Sequence, residues 1–210
     1  MKDATEIIVV MDKSGSMNGR RTDAIGGFNT FLADQQKEPG EANLTLVLFD
    51  TTYDIPVSGL PIKNVAPLTE ETYIPGGGTA LLDALARAIT ETGNRLVNLL
   101  EDDRPDKVIC VVITDGQENS SVEHTKEQVA KMVTHQEEKY DWAFMYLGTG
   151  VDAFHEAQAM GIKGSMTSAF AGDSVGTRSA YAGTSKGVSG YRSGGKSGLD
   201  KSNWKDKIKN

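Results

Sequence analysis

Two runs of apolar, mostly β-branched residues, Ile7 to Met11 and Val108 to Ile113, constrain the fold more than any other feature of the chain. Neither alternates with polar residues. Each therefore reads as a strand covered on both faces, as in a parallel sheet lying between helices. Each also ends in an acidic turn: Asp12 follows the first run, and Thr114-Asp115-Gly116 closes the second. Both runs are far shorter than the ~20 apolar residues that span a bilayer. Residues Met1 to Glu6 lead into no long apolar leader, so an intracellular, cytoplasmic protein without membrane contact is expected. The single cysteine, Cys110, excludes an internal disulfide framework and a cysteine-based zinc cluster.

The remaining elements follow from periodicity. Ala24, Phe28, Phe31 and Leu32 recur at helical spacing up to Pro39-Gly40. Asn43 to Asp50 and Tyr53 to Val57 read as strands, and the link between them is short enough only for an antiparallel hairpin. Ala80 to Leu100 carries a leucine-rich stripe, Lys107 to Thr114 is a buried strand, Glu123 to Glu138 a helix and Tyr140 to Leu147 a strand. A short helix from Asp152 closes at Gly161, and an edge strand lies near Ser165 to Phe170. This alternation predicts an α/β fold: a three-layer, doubly wound, mostly parallel Rossmann-like sheet with one antiparallel edge strand.

Charge divides the chain unevenly. The net charge is −7, which argues against a generic nucleic-acid binder. Residues 1–163 carry the acidic excess, whereas residues 164–210 are basic and rich in glycine. Within the latter, Asp173 to Tyr191 keeps Tyr181, Thr184, Val188 and Tyr191 on one face. Its glycines each cost about 1 kcal/mol relative to alanine, so that helix forms only by packing and reads as an element of low stability. From Arg192 no periodicity remains. A domain over 1–191 and a flexible basic tail over 192–210 are expected, and nucleic acid would be held, if anywhere, by the tail lysines around Trp204.

In an open α/β sheet, ligands sit at the carboxyl ends of the strands. The loops after Met11, near Thr79 and after Thr114 should therefore share one rim. They offer Asp12, Ser14, Ser16, Thr79 and Asp115, three hydroxyls and two carboxylates. These are hard oxygen donors suited to Mg2+, with Mn2+ as a substitute; lacking imidazole and thiolate, the set does not suit zinc.

Asp12-Lys13-Ser14-Gly15-Ser16 after an apolar strand, Gly77-Gly78-Thr79 opening a helix, and Thr114-Asp115-Gly116 closing a second strand together resemble the von Willebrand factor A domain with its metal-ion-dependent adhesion site. The likeness extends over about residues 5–191 and points to a member of intracellular bacterial or phage type. It implies that Ser14 and Ser16 ligate the metal through their hydroxyls. Thr79 would do so directly or through water, and Asp12 and Asp115 mostly through water. It also implies an open coordination position for a Glu or Asp carboxylate of a protein partner, and a conformational shift passed to the helix over Asp173 to Tyr191. The expected function is non-catalytic, metal-dependent protein binding. The alternative is a phage- or particle-associated assembly component using the fold as scaffold.

Other strings in the chain have ordinary explanations. Gly190 to Ser197 spells GxxxxGK[ST], yet no buried strand precedes it. Gly183 to Gly187 spells GxSxG without any later histidine. An apolar strand ending in aspartate also opens phosphotransferases of the haloacid dehalogenase type, but the second aspartate they need is replaced by Ser14. His124, His135 and His155 share no ligand spacing and read as surface residues.

Overall fold

The computed structural model describes residues 4–150 and 152–209. Met1 to Asp3, part of the stretch read above for a leader, and Asn210, the end of the expected tail, lie outside the described residues. Six strands form one sheet: β1 (Thr5–Asp12), β2 (Ala42–Phe49), β3 (Tyr53–Pro61), β4 (Lys107–Ile113), β5 (Ala143–Thr149) and β6 (Thr167–Phe170). Their order is β3-β2-β1-β4-β5-β6. Among the described residues only the β2–β3 pair is antiparallel. Among the described residues five α-helices cover the faces: α1 (Arg21–Lys37), α2 (Leu81–Val97), α3 (Lys126–Tyr140), α4 (Ala153–Ala159) and α5 (Ser174–Lys201). This is the expected doubly wound α/β architecture.

The unbroken apolar run of β1 serves two cores at once. Ile7, Val9 and Met11 point to one face and join Phe28 and Phe31 of α1 with Tyr181, Val188 and Tyr191 of α5. Ile8 and Val10 point to the other and join Leu81, Leu85 and Ile89 of α2 with Val129 and Val133 of α3. Because side chains alternate across a strand, a strand between two helical layers has no position left for a polar residue. No helix among the described residues is long and apolar enough to cross a membrane.

Several boundaries differ from expectation for local reasons. β3 extends to Pro61 rather than Val57, with register shifts against β2; as an edge strand it tolerates Pro56 and Pro61. Helix α3 starts at Lys126 rather than Glu123, because Thr125 and Gln128 form a capping box. It also runs to Tyr140, where Asp141 turns the chain at φ 55°, so β5 begins later than the sequence suggested.

The C-terminal segment requires a correction. Of the 192–210 stretch, expected as a flexible tail, the described residues 192–209 return against the molecule. Helix α5 continues to Lys201 with a break at Gly194 and Gly195, the latter at φ 59°. Leu199 is fully buried and Trp204 is 3% exposed, both in the core shared with α1. Arg192 is buried as well, and its guanidinium donates to the carbonyls of Gln35, Glu38, Pro39 and Gly40 at the end of α1. A cation is well placed among the unsatisfied carbonyls of a helix C-terminus.

The glycines of α5 explain how this happens. Gly190 and Gly198 approach so closely that a β-carbon on Gly190 would lie 2.7 Å from the Gly198 carbonyl oxygen. Gly183 leaves room for Ile208 and Trp204, and Gly187 for Met145 and Leu199. What the sequence presents as weak helix is the seam along which the returning chain packs, and periodicity counts only large apolar side chains. The GxxxxGK[ST] string lies across the turn of that hairpin.

A Gly198→Ala substitution separates the two views of this segment. In a free or ordinary helix alanine would add about 1 kcal/mol of stability, whereas overpacking against the Gly190 backbone should remove about 1–3 kcal/mol. Trp204→Ala should cost about 3–5 kcal/mol. Denaturant-induced unfolding of both variants beside wild type measures these changes.

Candidate metal centre

All five residues singled out in the sequence are brought together at the carboxyl rim of β1 and β4. Asp12, the last residue of β1, is fully buried. Its Oδ1 accepts the Ser14 backbone N–H at 2.6 Å and its Oδ2 accepts the Thr114 hydroxyl at 2.5 Å. Burial pushes the Asp12 carboxyl above the ordinary aspartate range, and the Thr114 and Ser14 hydrogen bonds oppose it. After Asp12 the chain enters a 3-10 turn over Gly15–Arg20. Ser14 occupies the N-cap position of that turn, but its side chain caps nothing. The Ser14 hydroxyl instead lies 3.0 Å from that of Ser16, which donates to Asp115 Oδ1 at 2.6 Å.

Thr79 comes from a separate loop held by backbone contacts. Gly15 N–H donates to the Gly77 carbonyl at 3.0 Å, and Gly76 N–H to the Lys13 carbonyl at 2.8 Å. The Thr79 N–H donates to Asn119 Oδ1 at 2.9 Å, and its carbonyl accepts from Asn119 and Ser120. Gly78 passes so near this loop that a β-carbon there would stand 2.8 Å from Asn119 Oδ1. Lys13 completes the frame, with its Nζ 2.8 Å from Asp50 Oδ2. Burial raises the Asp50 pKa, but the hydrogen bonds from Lys13 and Thr52 outweigh it and hold the carboxyl below its usual range.

The space between these groups is defined by Gly116. A β-carbon on it would lie 2.9 Å from Thr79 Oγ1, 3.7 Å from Ser16 Oγ and 3.8 Å from Asp12 Oδ2. Three oxygens, two from the segment that ends β1 and one from the Thr79 loop, thus face one small volume that only a glycine at position 116 leaves clear. A hard divalent cation fits this donor set, because the groups are oxygens and the buried Asp12 carboxylate favours a positive charge beside it.

Solved structures with this architecture include proximal thread matrix protein 1 from the mussel byssus. It is 16% identical at a TM-score of 0.59 over 89% of this chain and 46% of that one. A von Willebrand factor type A protein from Catenulispora acidiphila is 17% identical at 0.55, over 89% of this chain and 42% of that one. Manganese-loaded TRAP protein of Plasmodium vivax is 14% identical at 0.55, over 80% and 69%. The fold is that of a von Willebrand factor A domain. The chain spans less than half the length of the first two structures. The mussel protein has also been solved with a zinc-occupied MIDAS motif. No protein-family model and no curated protein matches the sequence.

Some residues that build this rim were not apparent in the sequence. Thr114, visible only as the neighbour of Asp115, fixes Asp12, and Asn119 fixes Thr79. Arg20 pairs with Asp115 Oδ2. Asp83, Glu123 and His124 also stand within reach of one another, but their polar atoms are committed. Asp83 accepts the backbone N–H groups of Val122, Glu123 and His124, and Glu123 pairs with Arg87. This cluster staples the loop after β4 to α2.

Gly116→Ala would place its methyl against Thr79 Oγ1 and inside the oxygen cradle. Binding of Mn2+ followed by calorimetry should be lost, and overpacking against Thr79 should also lower metal-free stability by about 1–3 kcal/mol, read from the melting curve of the folded variant. Asp83 yields a pH prediction. Burial raises its pKa, yet three backbone donors and His124 bring the net value below the ordinary range. A depressed folded pKa contributes stability that is present above the unfolded value and lost as pH falls through the folded one. Asp83→Asn should therefore cost about 1–2 kcal/mol at pH 7, and the gap to wild type should close below about pH 4 in unfolding titrations.

Proposed function

We propose that this chain is a non-catalytic, divalent-metal-dependent protein-binding module working inside a cell, with Mg2+ as its metal. The reading is carried by the volume kept open by Gly116, faced by Asp12, Ser16 and Thr79, with Ser14 and Asp115 hydrogen-bonded to Ser16 beside it. Ser14, Ser16 and Thr79 would hold the cation through neutral hydroxyls, while Asp12 and Asp115 stand behind them. A cation ligated mainly by neutral oxygens supplies a strongly electrophilic position for an incoming anion. The recognised group is then a Glu or Asp carboxylate on the surface of a partner protein. The manganese of the TRAP structure and the zinc of the mussel protein support the metal reading by analogy of fold.

A non-catalytic role is supported by the chemistry of the rim. The Ser16 hydroxyl donates to a carboxylate and lies beside a second hydroxyl. Among the described residues of the rim no imidazole stands ready to take its proton. The alternative of an assembly scaffold anchored by a free basic tail is weakened by the burial of Leu199 and Trp204. That burial also withdraws Trp204 from stacking on nucleic acid.

The test is affinity capture from source-cell lysate with wild type in Mg2+, wild type in EDTA, and Thr79→Ala in Mg2+. A protein retained only in the first condition, and released by EDTA, is the expected result. Identical partners in all three conditions would move recognition away from this rim.

A further inference from the structure

Resting on the metal reading above, the structure assigns a regulatory role to Arg20. We infer that its guanidinium is a resident counter-cation of Asp115 that competes with the divalent metal and keeps the site's intrinsic affinity low. Asp115 is nearly inaccessible, its side chain being 1% exposed. Both of its oxygens are engaged, Oδ1 by the Ser16 hydroxyl and Oδ2 by Arg20.

The guanidinium is held in place from two sides. Its Nε donates to the Gly172 carbonyl at 2.9 Å. A β-carbon on Gly172 would lie 3.2 Å from its Nη2, so the group rests directly on the turn before α5. Arg20 ends the 3-10 turn that begins at Gly15, one residue before Ser16, so the same short segment supplies a proposed metal ligand and the competing cation. An arginine cannot discharge by losing a proton. Its positive charge is therefore a fixed feature of the rim, and a divalent ion at the Gly116 cradle must enter beside it.

The functional consequence is coupling between metal and partner. Where Arg20 neutralises Asp115, Asp12 is left, among the described residues, as the one carboxylate at the cradle without a cation, and its single charge holds a divalent metal less tightly than two would. A partner's carboxylate on the metal supplies the second charge, so metal and partner stabilise each other's binding. Removing Arg20 should leave a site that retains metal without a partner.

The test is calorimetric titration of Mn2+ into the full chain as wild type, Arg20→Gln and Arg20→Met, with folding checked by metal-free melting. Both variants remove the charge by different side chains, so failure of one to fold leaves the other informative. Mn2+ affinity is expected to rise about tenfold in each, the weight of one charge-assisted hydrogen bond. Binding by wild type with equal or weaker affinity in the folded variants would overturn the role of Arg20 and leave the metal site standing. Absence of Mn2+ binding in wild type and folded variants alike would overturn both.

Discussion

The rim is organised by the commitment of both Asp12 oxygens. β1 and β4 are neighbouring parallel strands, paired from Thr5 opposite Lys107 to Met11 opposite Ile113, with a spacing of about 4.8 Å fixed by backbone hydrogen bonds. The loops that follow them are free to diverge. Asp12 prevents this by accepting the Ser14 N–H of its own loop and the Thr114 hydroxyl at the end of the other strand. The Tyr73 hydroxyl adds a donor to the Asp12 carbonyl at 2.5 Å. That bond draws the segment before Gly76 against the same point. Every other contact of the rim presupposes this junction, since Ser16 can reach Asp115 only if the two loops stay side by side.

Such a junction is stable because of where it stands. The strand behind Asp12 is buried on both faces, and a rigid two-sided core lets a polar residue at its end be held within about half an ångström. The burial that supplies this rigidity also desolvates the carboxylate and raises its pKa. Fold and site are therefore linked through one side chain.

The parts of this arrangement visible in the sequence were those that depend on local pattern. Two-sided strands announce themselves as unbroken apolar runs, and their acidic ends mark the rim, so Asp12 and Asp115 could be located without coordinates. Thr79 followed from a glycine-rich turn opening a helix. The partners of these residues were not legible. Asn119 reaches Thr79 across 40 positions and Arg20 reaches Asp115 across 95, and no local spacing encodes either approach. The C-terminal segment shows a second kind of illegibility. Leu199 and Trp204 reach the core only because Gly183, Gly187, Gly190 and Gly198 leave room for the returning chain, so a pattern of periodic large apolar residues makes a packed hairpin look like a loose end.

The charges of the rim form a simple series. Asp50 faces Lys13 and Asp115 faces Arg20, each carboxylate thus provided with a cation from the loop that follows β1. Asp12 forms no ion pair among the described residues and depends on a hydroxyl and an N–H alone. A buried carboxylate is costly unless a positive charge stands near it. The oxygen of Asp12 that faces the Gly116 cradle is thus where the rim leaves a buried carboxylate without a cation. The two neighbouring carboxylates, already neutralised, do not share this lack. A hard cation in that cradle would meet it, and the single turn from Lys13 to Arg20 sets how strongly the rest of the rim supports that cation.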